Sequence, residues 1–354
     1  LSVVFTPLHG VGHTSVVPVL RARGISVAPV DRQCDPDNGQ FSTVESANPE
    51  LPSSMAMAVE LAKKHGADLV LATDPDADRL GACVHQDGEY IAVDGNRLGV
   101  LMLDHILANT TPADNAWVLT TLVTSPLVAS MARSRGVTAV DDLLVGFKHH
   151  AGMMREHEDR PLLFACEESH GYMRGNAVRD KDGAVAALLL AEAAAQAKTR
   201  GETLLDNLNR IWCTHGYHRE RTANLRVSGL QGRKAIATAM AKWRTQPPTS
   251  IGGLAVQTVQ DRYDERKTGS PTRDLPGNVL VYELASETYA CRLTLRPSGT
   301  EPKLKVYALA RSNPGITREQ LPDVIAAVDT LIDTVLSDAD AQVRANMEVA
   351  PNPQ

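Results

Sequence analysis

Residues 69–79, Leu-Val-Leu-Ala-Thr-Asp-Pro-Asp-Ala-Asp-Arg, constrain this chain more than any other stretch. The apolar run reads as a buried strand that ends at Thr73. Asp74, Asp76 and Asp78 follow at alternate positions, and a turning or extended backbone can aim all three at one point. Three like charges held together repel unless a divalent ion neutralises them, and an all-oxygen set suits Mg²⁺ or another hard cation, not zinc. The plain alternative is a solvated acidic turn. Against it, Pro75 stiffens the loop, and polar turns seldom stack three carboxylates directly on a buried strand.

Two familiar carboxylate loops fit the spacing poorly. An EF-hand needs Gly at its sixth position and Glu at its twelfth, where this chain has Arg79 and His85. In a phosphoryl-accepting loop of the haloacid-dehalogenase type, Asp-x-Asp is followed by x and Thr or Val; here Asp78 takes the Thr/Val place. Arg79 beside the carboxylates points instead to metal and guanidinium acting together on a phosphate, whose oxygens a planar fork binds in pairs.

Around this loop the chain alternates strands and helices. Leu1 to Phe5 reads as a strand, Thr6 to Gly12 as a turn, Thr14 to Arg23 as a helix ended by Gly24, and Ile25 to Val30 as the next strand: a β-α-β opening. Gly10-x-Gly12 resembles half of a dinucleotide fingerprint, but Ser15 stands where the third Gly belongs and no acidic residue caps the second strand. A tight turn at a cleft edge, with structural His9 and His13, is the better reading. Ser53 to His65 forms a helix ahead of the Asp74 strand, Gly81 to Val84 and Tyr90 to Val93 a hairpin, and Gly95 to Ala108 a helix. The grammar then repeats: strand Trp117 to Val123, helix Ser125 to Arg135, strand Val137 to Val140, a helix reaching about Asp159, strand Leu162 to Cys166, and a loop from Glu167 to Tyr172. An Ala/Leu-rich packing helix runs from Asp182-Gly183 to Arg200.

From about His218 strands outnumber helices. Arg226-Val227, Leu254 to Val259, Val279 to Leu284, Tyr289 to Leu295 and Leu304 to Leu309 alternate like an antiparallel sheet with one wet face. Helices cover Leu230 to Trp243 and Arg318 to about Arg344, the latter with a stripe of Leu321, Val324, Ile325, Val328, Leu331, Ile332, Val335 and Leu336. The final residues, 350–354, read as a frayed tail. The expected fold class is α/β: two similar α/β domains with mixed sheets, residues 1–109 and 110–217, followed by a smaller α+β domain, residues 218–354, with an antiparallel sheet packed by helices.

Composition excludes several functions. A formal net charge of -6 gives no electrostatic footprint for nucleic acid or an anionic membrane. No apolar run approaches the roughly 18 residues of a membrane span. The 5 cysteines are odd in number and widely spaced, as expected of reduced thiols in cytoplasm and not of a disulfide or zinc framework. The chain opens in a strand pattern without Met, which leads to the expectation that it is part of a longer polypeptide.

Arg296-Pro-Ser-Gly-Thr-Glu-Pro-Lys303, between two expected strands, joins a guanidinium, two hydroxyls, a Gly that lets backbone N–H groups converge, and nearby Lys305. These are the parts of an anion nest, and a simple hairpin turn would not need them together.

With this loop the chain resembles the α-D-phosphohexomutase superfamily, the phosphoglucomutases and phosphomannomutases. Four motifs match in order: the Thr6 to Gly12 turn, the Asp74-Pro-Asp-Ala-Asp-Arg79 loop, Glu167-Glu-Ser-His-Gly171, and Arg296-Pro-Ser-Gly-Thr300. Gly146-Phe147-Lys148, Asp180-Lys181-Asp182-Gly183, Asn48-Pro49-Glu50 and Gly216-Tyr217-His218 resemble the branch of phosphopentomutase-like phosphoglucomutases. The resemblance implies a four-domain fold around a cleft, of which this chain supplies the second to fourth domains. It implies interconversion of sugar 1-phosphates and 6-phosphates through an enzyme phosphoserine and a sugar bisphosphate, with Mg²⁺ held by Asp74, Asp76 and Asp78. Arg79 and Lys148 take catalytic places. Glu167 and Ser169 bind sugar hydroxyls, Arg296, Ser298, Gly299 and Thr300 grip the distal phosphate, and Lys181 contacts phosphate or moves a proton. No stretch here matches the family's Thr-Ala-Ser-His-Asn-type serine loop, so the missing N-terminal domain of the same polypeptide is an expected partner, and the chain alone is expected not to turn over. Two alternatives remain: a non-catalytic sugar-phosphate-binding protein and a metal-dependent sugar phosphatase.

Overall fold

The computed structural model describes residues 1–35, 39–227, 231–263, 277–299 and 301–347. The chain divides into two compact units, Leu1–Arg210 and Ile211–Gln354. Thr300, Leu230 and the tail 350–354 lie outside the described residues.

The first unit begins with β1 (Ser2–Thr6), α1 (Val16–Ala22) and β2 (Ser26–Pro29), followed by α2 (Ala56–His65), β3 (Leu69–Thr73), β4 (Leu80–Gln86) and β5 (Glu89–Val93). The strand order is β2-β1-β3-β4-β5. β1 runs parallel to β2 and β3, while β4 is antiparallel to β3 and β5. A strand lying parallel at the middle of a sheet is covered on both faces, and all five residues of β3 are buried. Full burial of Leu69, Val70 and Leu71 contributes about 1.5–3 kcal/mol each, enough to hold a loop of mutually repelling carboxylates at the strand's end. Met55, just before α2, and Ala58 and Ala62 within it pack in one core with Val4, Val70 and Ala72. Gly66, left-handed at φ 59, ends α2 by returning its N–H to the Ala62 carbonyl. The β4–β5 hairpin turns on Asp87 and Gly88, both with positive φ, the form that matches strand twist.

After α3 (Gly95–Asn109), the same plan repeats with β6 (Trp117–Thr121), α4 (Pro126–Ser134), β7 (Thr138–Leu143), α5 (Phe147–Glu156), β8 (Leu162–Glu167) and β9 (Gly171–Met173). The order β7-β6-β8-β9 reproduces β2-β1-β3-β4, with parallel pairs at β6 and an antiparallel β8–β9 pair. The repetition expected from the sequence is therefore topological. It also makes the β3–β4 connection, carrying Asp74 to Arg79, the counterpart of the β8–β9 connection, carrying Glu168 to His170. Trp117, Leu119, Leu143, Phe147, Met153 and Met154 form the second core. α6 (Gly183–Thr199) packs against α1, α3 and β9, which suits a helix whose Ala and Leu residues are buried on several sides. α7 (Leu204–His215) was not foreseen, although Leu204, Leu208, Ile211 and Trp212 bury one stripe of it at ordinary amphipathic spacing, with Asp206, Asn209 and Arg210 on the other faces.

The second unit carries β10 (His218–Arg226), α8 (Gly232–Thr245), β11 (Ser250–Ile251), β12 (Leu254–Asp261), β13 (Leu280–Ala285), β14 (Tyr289–Pro297), β15 (Lys303–Ser312) and α9 (Leu321–Ala345). Its sheet, ordered β10-β15-β14-β13-β12-β11, is antiparallel throughout. Three expectations need correction. The strand read as Arg226-Val227 is the end of the nine-residue β10, whose polar alternation masked it. The α9 stripe is narrower than expected: Leu321, Val328, Ile332 and Val335 are buried with Ala339 and Val343, while Val324, Ile325, Leu331 and Leu336 lie at its flanks. Arg296 and Pro297 belong to β14, not to the loop, because the β14–β15 ladder continues to Pro297 opposite Leu304. No helix among the described residues is long and apolar enough to cross a membrane.

Candidate functional site

The Asp74 turn closes on its own first residue. Asp74 Oδ1 accepts the backbone N–H groups of Asp78 at 3.1 Å and Arg79 at 3.0 Å, and the Asp74 carbonyl accepts from Ala77 at 3.0 Å. Ala77 takes the left-handed conformation, φ 60, uncommon for a residue with a side chain. Oxygens of Asp74, Asp76 and Asp78 come within 4.8 Å of one another. Asp74 is buried, Asp78 half-buried and Asp76 exposed. Burial pushes the Asp74 carboxyl up to about 7, helped by the charges of Asp78 and Asp76 and opposed by the Arg79 N–H. Three oxygen donors in mutual repulsion fit a hard divalent cation, which would remove the strain they place on one another.

Close backbone packing fixes the turn. The Pro75 carbonyl accepts from Val11 at 2.9 Å, and a Cβ on Gly10 would stand 2.2 Å from Pro75 Cα. The Ala77 carbonyl accepts from Gly183 at 3.0 Å, where a Cβ would come within 2.6 Å of that oxygen. The Thr6 to Gly12 turn thus supports the carboxylate loop. His9 is buried, its Nε2 2.7 Å from Thr43 Oγ1, in keeping with a structural role.

The β8–β9 hairpin joins this loop directly. Leu80 N–H donates to the His170 carbonyl at 3.0 Å, and His170 Nδ1, protonated because it faces a carbonyl, donates to the Leu80 carbonyl at 2.9 Å. Arg79 and Gly171 form a further antiparallel bridge. Glu167 is the buried last residue of β8, not a loop residue, and one of its oxygens accepts the Gly146 N–H at 2.6 Å. Burial raises the Glu167 carboxyl, while that N–H and the charges of Lys181 and Arg79 oppose the rise. Ser169 sits half-buried at the hairpin tip.

Lys181 Nζ lies 2.9 Å from Asp78 Oδ2, 3.0 Å from Asp180 Oδ1 and 5.2 Å from the centre of the Phe147 ring. Lys148 is exposed in the first turn of α5, two residues past the Gly146 that holds Glu167. The first unit therefore gathers Asp74, Asp76, Asp78, Arg79 and Lys181, and ties them through Leu80 and His170 to Glu167 and Ser169.

The remaining expected residues stand in the second unit. Arg296 is half-exposed on β14, paired with Lys305 on β15. Ser298 N–H donates to the Lys303 carbonyl at 2.8 Å, and its Oγ accepts from Glu301 N–H at 3.3 Å. Glu301 pairs with Lys303 and reaches Arg226 at 4.0 Å. Gly299 is exposed at the tip, beside the undescribed Thr300. Lys303, Lys305 and, from β10, Arg226 stand around the Glu301 carboxylate and hold it below its ordinary range, while Arg296 faces Lys305 across the ladder.

Two family models match the chain, both described as phosphoglucomutase/phosphomannomutase: alpha/beta/alpha domain II over residues 1–88 and domain III over residues 94–211. This chain belongs to the phosphoglucomutase/phosphomannomutase family. Phosphoglucomutase from Staphylococcus aureus strain MRSA252 is 37% identical over 315 residues, covering 87% of this chain and 56% of that protein. The strain USA300 protein is 36% identical over the same shares. The chain spans little more than half the length of these curated relatives. Among solved structures, a family protein from Burkholderia thailandensis superposes with TM-score 0.67 at 15% identity, over 99% of this chain and 61% of that one. Parafusin, a phosphoglucomutase from Paramecium, gives 0.63 at 17% identity, over 97% and 58%. These likenesses establish the fold.

Gly146 and His170 were not singled out as site residues from the sequence. Both sit inside motifs that were noticed, but the roles of Gly146 N–H and His170 Nδ1 rest on partners 21 and 90 residues away.

Proposed function

We propose that this chain supplies the metal, sugar and phosphate loops of a phosphohexomutase that interconverts sugar 1-phosphates and 6-phosphates through a phosphoserine carried by sequence outside residues 1–354. The observation that supports it best is the junction of the Asp74–Asp76–Asp78 triad with the Glu167 hairpin through Leu80 and His170. Sugar monophosphates and bisphosphates are the proposed ligands, and Mg²⁺ the proposed cation. When bound, Mg²⁺ adds positive charge beside the phosphoryl group in flight, where charge neutralisation and placement do most of the work.

Arg79 grips the equatorial oxygens of that phosphoryl group from the edge of the triad. Glu167, with one oxygen already taken by Gly146, offers the other to a sugar hydroxyl, and Ser169 adds a second contact. Lys181, kept charged by Asp78 and Asp180, balances phosphate charge, and Lys148 takes and returns the hydroxyl proton. Arg296, Ser298, Gly299 and Thr300 hold the phosphate that is not reacting. The phosphoryl group passes from the serine oxygen to the free sugar hydroxyl, whose proton is taken up. The bisphosphate then turns over and returns its other phosphoryl group to the serine.

Calorimetric titration of the chain with glucose 1,6-bisphosphate in Mg²⁺ tests this, since binding does not require the serine. Saturable binding is expected, lost in Asp76→Ala and weakened at least tenfold in Arg296→Ala, about what one charge-assisted phosphate pair is worth. Wild-type chain that binds nothing, or binds equally well after both substitutions, would sink the reading.

A further inference from the structure

In the first unit, the roles above leave the Asn48-Pro49-Glu50 segment unused. Asn48 Oδ1 accepts Glu50 N–H at 3.0 Å and the Asn48 carbonyl accepts from Leu51 at 3.1 Å, closing a turn on the asparagine. The Pro49 carbonyl lies against Gly81, where a Cβ would stand 2.3 Å from its oxygen. The segment is thereby seated on β4 two residues after Arg79. From this seat Glu50 Oε1 reaches Arg79 Nη1 at 3.4 Å, while Arg79 Nε faces Asp74 Oδ2 at 3.6 Å and Asp78 Oδ1 at 3.9 Å.

The guanidinium therefore hangs between Glu50 on one side and Asp74 with Asp78 on the other. The Arg79–Glu50 pair is soft: its side chains are 39% and 34% exposed, and such pairs contribute about 0–1 kcal/mol to stability. The arrangement places Arg79 more than it strengthens the fold. A divalent cation among Asp74, Asp76 and Asp78 would offset their charge and repel Arg79, loosening its hold on that side. Glu50 offers no ligand atom to the triad and keeps its pair with Arg79.

We infer that Glu50 is a positioning residue for Arg79, holding the guanidinium beside the cation-filled triad so that it meets the phosphoryl group of a sugar phosphate. The inference deepens the proposed function and rests on it.

The test is a double-mutant cycle read by calorimetry of glucose 1,6-bisphosphate binding to the chain in Mg²⁺. Glu50→Gln keeps the shape and removes the charge, and it should weaken binding about fivefold, within the range of coupled neighbours. Arg79→Ala should weaken it more, and adding Glu50→Gln to Arg79→Ala should change nothing further. Thermal midpoints within error of wild type establish that the variants fold. Undiminished binding by Glu50→Gln overturns the inference, as does a fivefold loss that persists without Arg79, which would mean that Glu50 touches the sugar itself. A wild-type chain that fails to bind removes the functional reading and the inference with it, whereas wild-type binding with an indifferent Glu50→Gln removes the inference alone.

Discussion

At Gly183 a hydrogen occupies the place where a methyl carbon would stand 2.6 Å from the Ala77 carbonyl oxygen and 3.1 Å from Thr73 Cγ2. Helix propensity alone would favour alanine there by about 1 kcal/mol, whereas forcing a carbon into a filled site costs about 1–3 kcal/mol. Backbone is the obstacle, so the second effect wins. Gly183→Ala should lower stability by about 1–2 kcal/mol in chemical denaturation and should weaken Mn²⁺ affinity, because the turn that aims Asp78 must shift. A stabilised variant with unchanged Mn²⁺ binding would refute the argument. The carboxylates themselves were legible because strand, turn and ligands occupy eleven consecutive positions. Glu50, Gly146 and His170 were not, because each acts on a residue between 21 and 90 positions distant and nothing local marks the pairing.

Asp182 shows how an element inherits its start from its neighbours. Its N–H donates to the Tyr172 carbonyl at 2.9 Å, while its Oδ1 accepts from Ala184 at 2.8 Å and Val185 at 3.1 Å, capping α6. Asp182→Ala should cost about 0.5–2 kcal/mol, and Asp182→Asn should recover most of it, since an amide oxygen caps nearly as well. Urea unfolding of the two variants checks both; equal losses would mean that charge and not capping is what α6 needs. β3, a continuous apolar run, and α6, an uninterrupted Ala/Leu-rich run, were readable from the chain alone. α7 was missed although its buried Leu204, Leu208, Ile211 and Trp212 keep ordinary helical spacing, and β10 was missed because its alternation is polar with polar. The boundary at Arg296 failed for another reason: Pro297 reads as a loop residue, yet proline is tolerated where a ladder ends.

Across the molecule, each unit buries a histidine that must charge when the chain unfolds in acid. Burial pushes His150 in the first unit down to about 3 and His218 in the second down to about 4, the latter despite its hydrogen bond to the Gly216 carbonyl. Both values lie below the roughly 6.5 of an unfolded histidine. Between these values the unfolded chain binds more protons, so the stability these groups contribute is complete above about pH 6.5 and is lost as pH falls toward 4 and then 3. Hydrogen exchange at pH 7.5 and 4.5 should report weaker protection at the lower pH in both β8 and β10. His150→Leu, which cannot charge, should shrink that difference in β8. An unchanged difference would place the acid sensitivity in other groups. The rung between Leu80 and His170 bears on a different matter, that of tolerance. Errors of placement in the carboxylate turn and the Glu167 hairpin are correlated, because both loops hang from it. A thermal displacement carries them in the same direction, and the spacing between the carboxylate turn and Glu167 varies less than the position of either, as two instruments bolted to one bedplate stay aligned on a shaking floor.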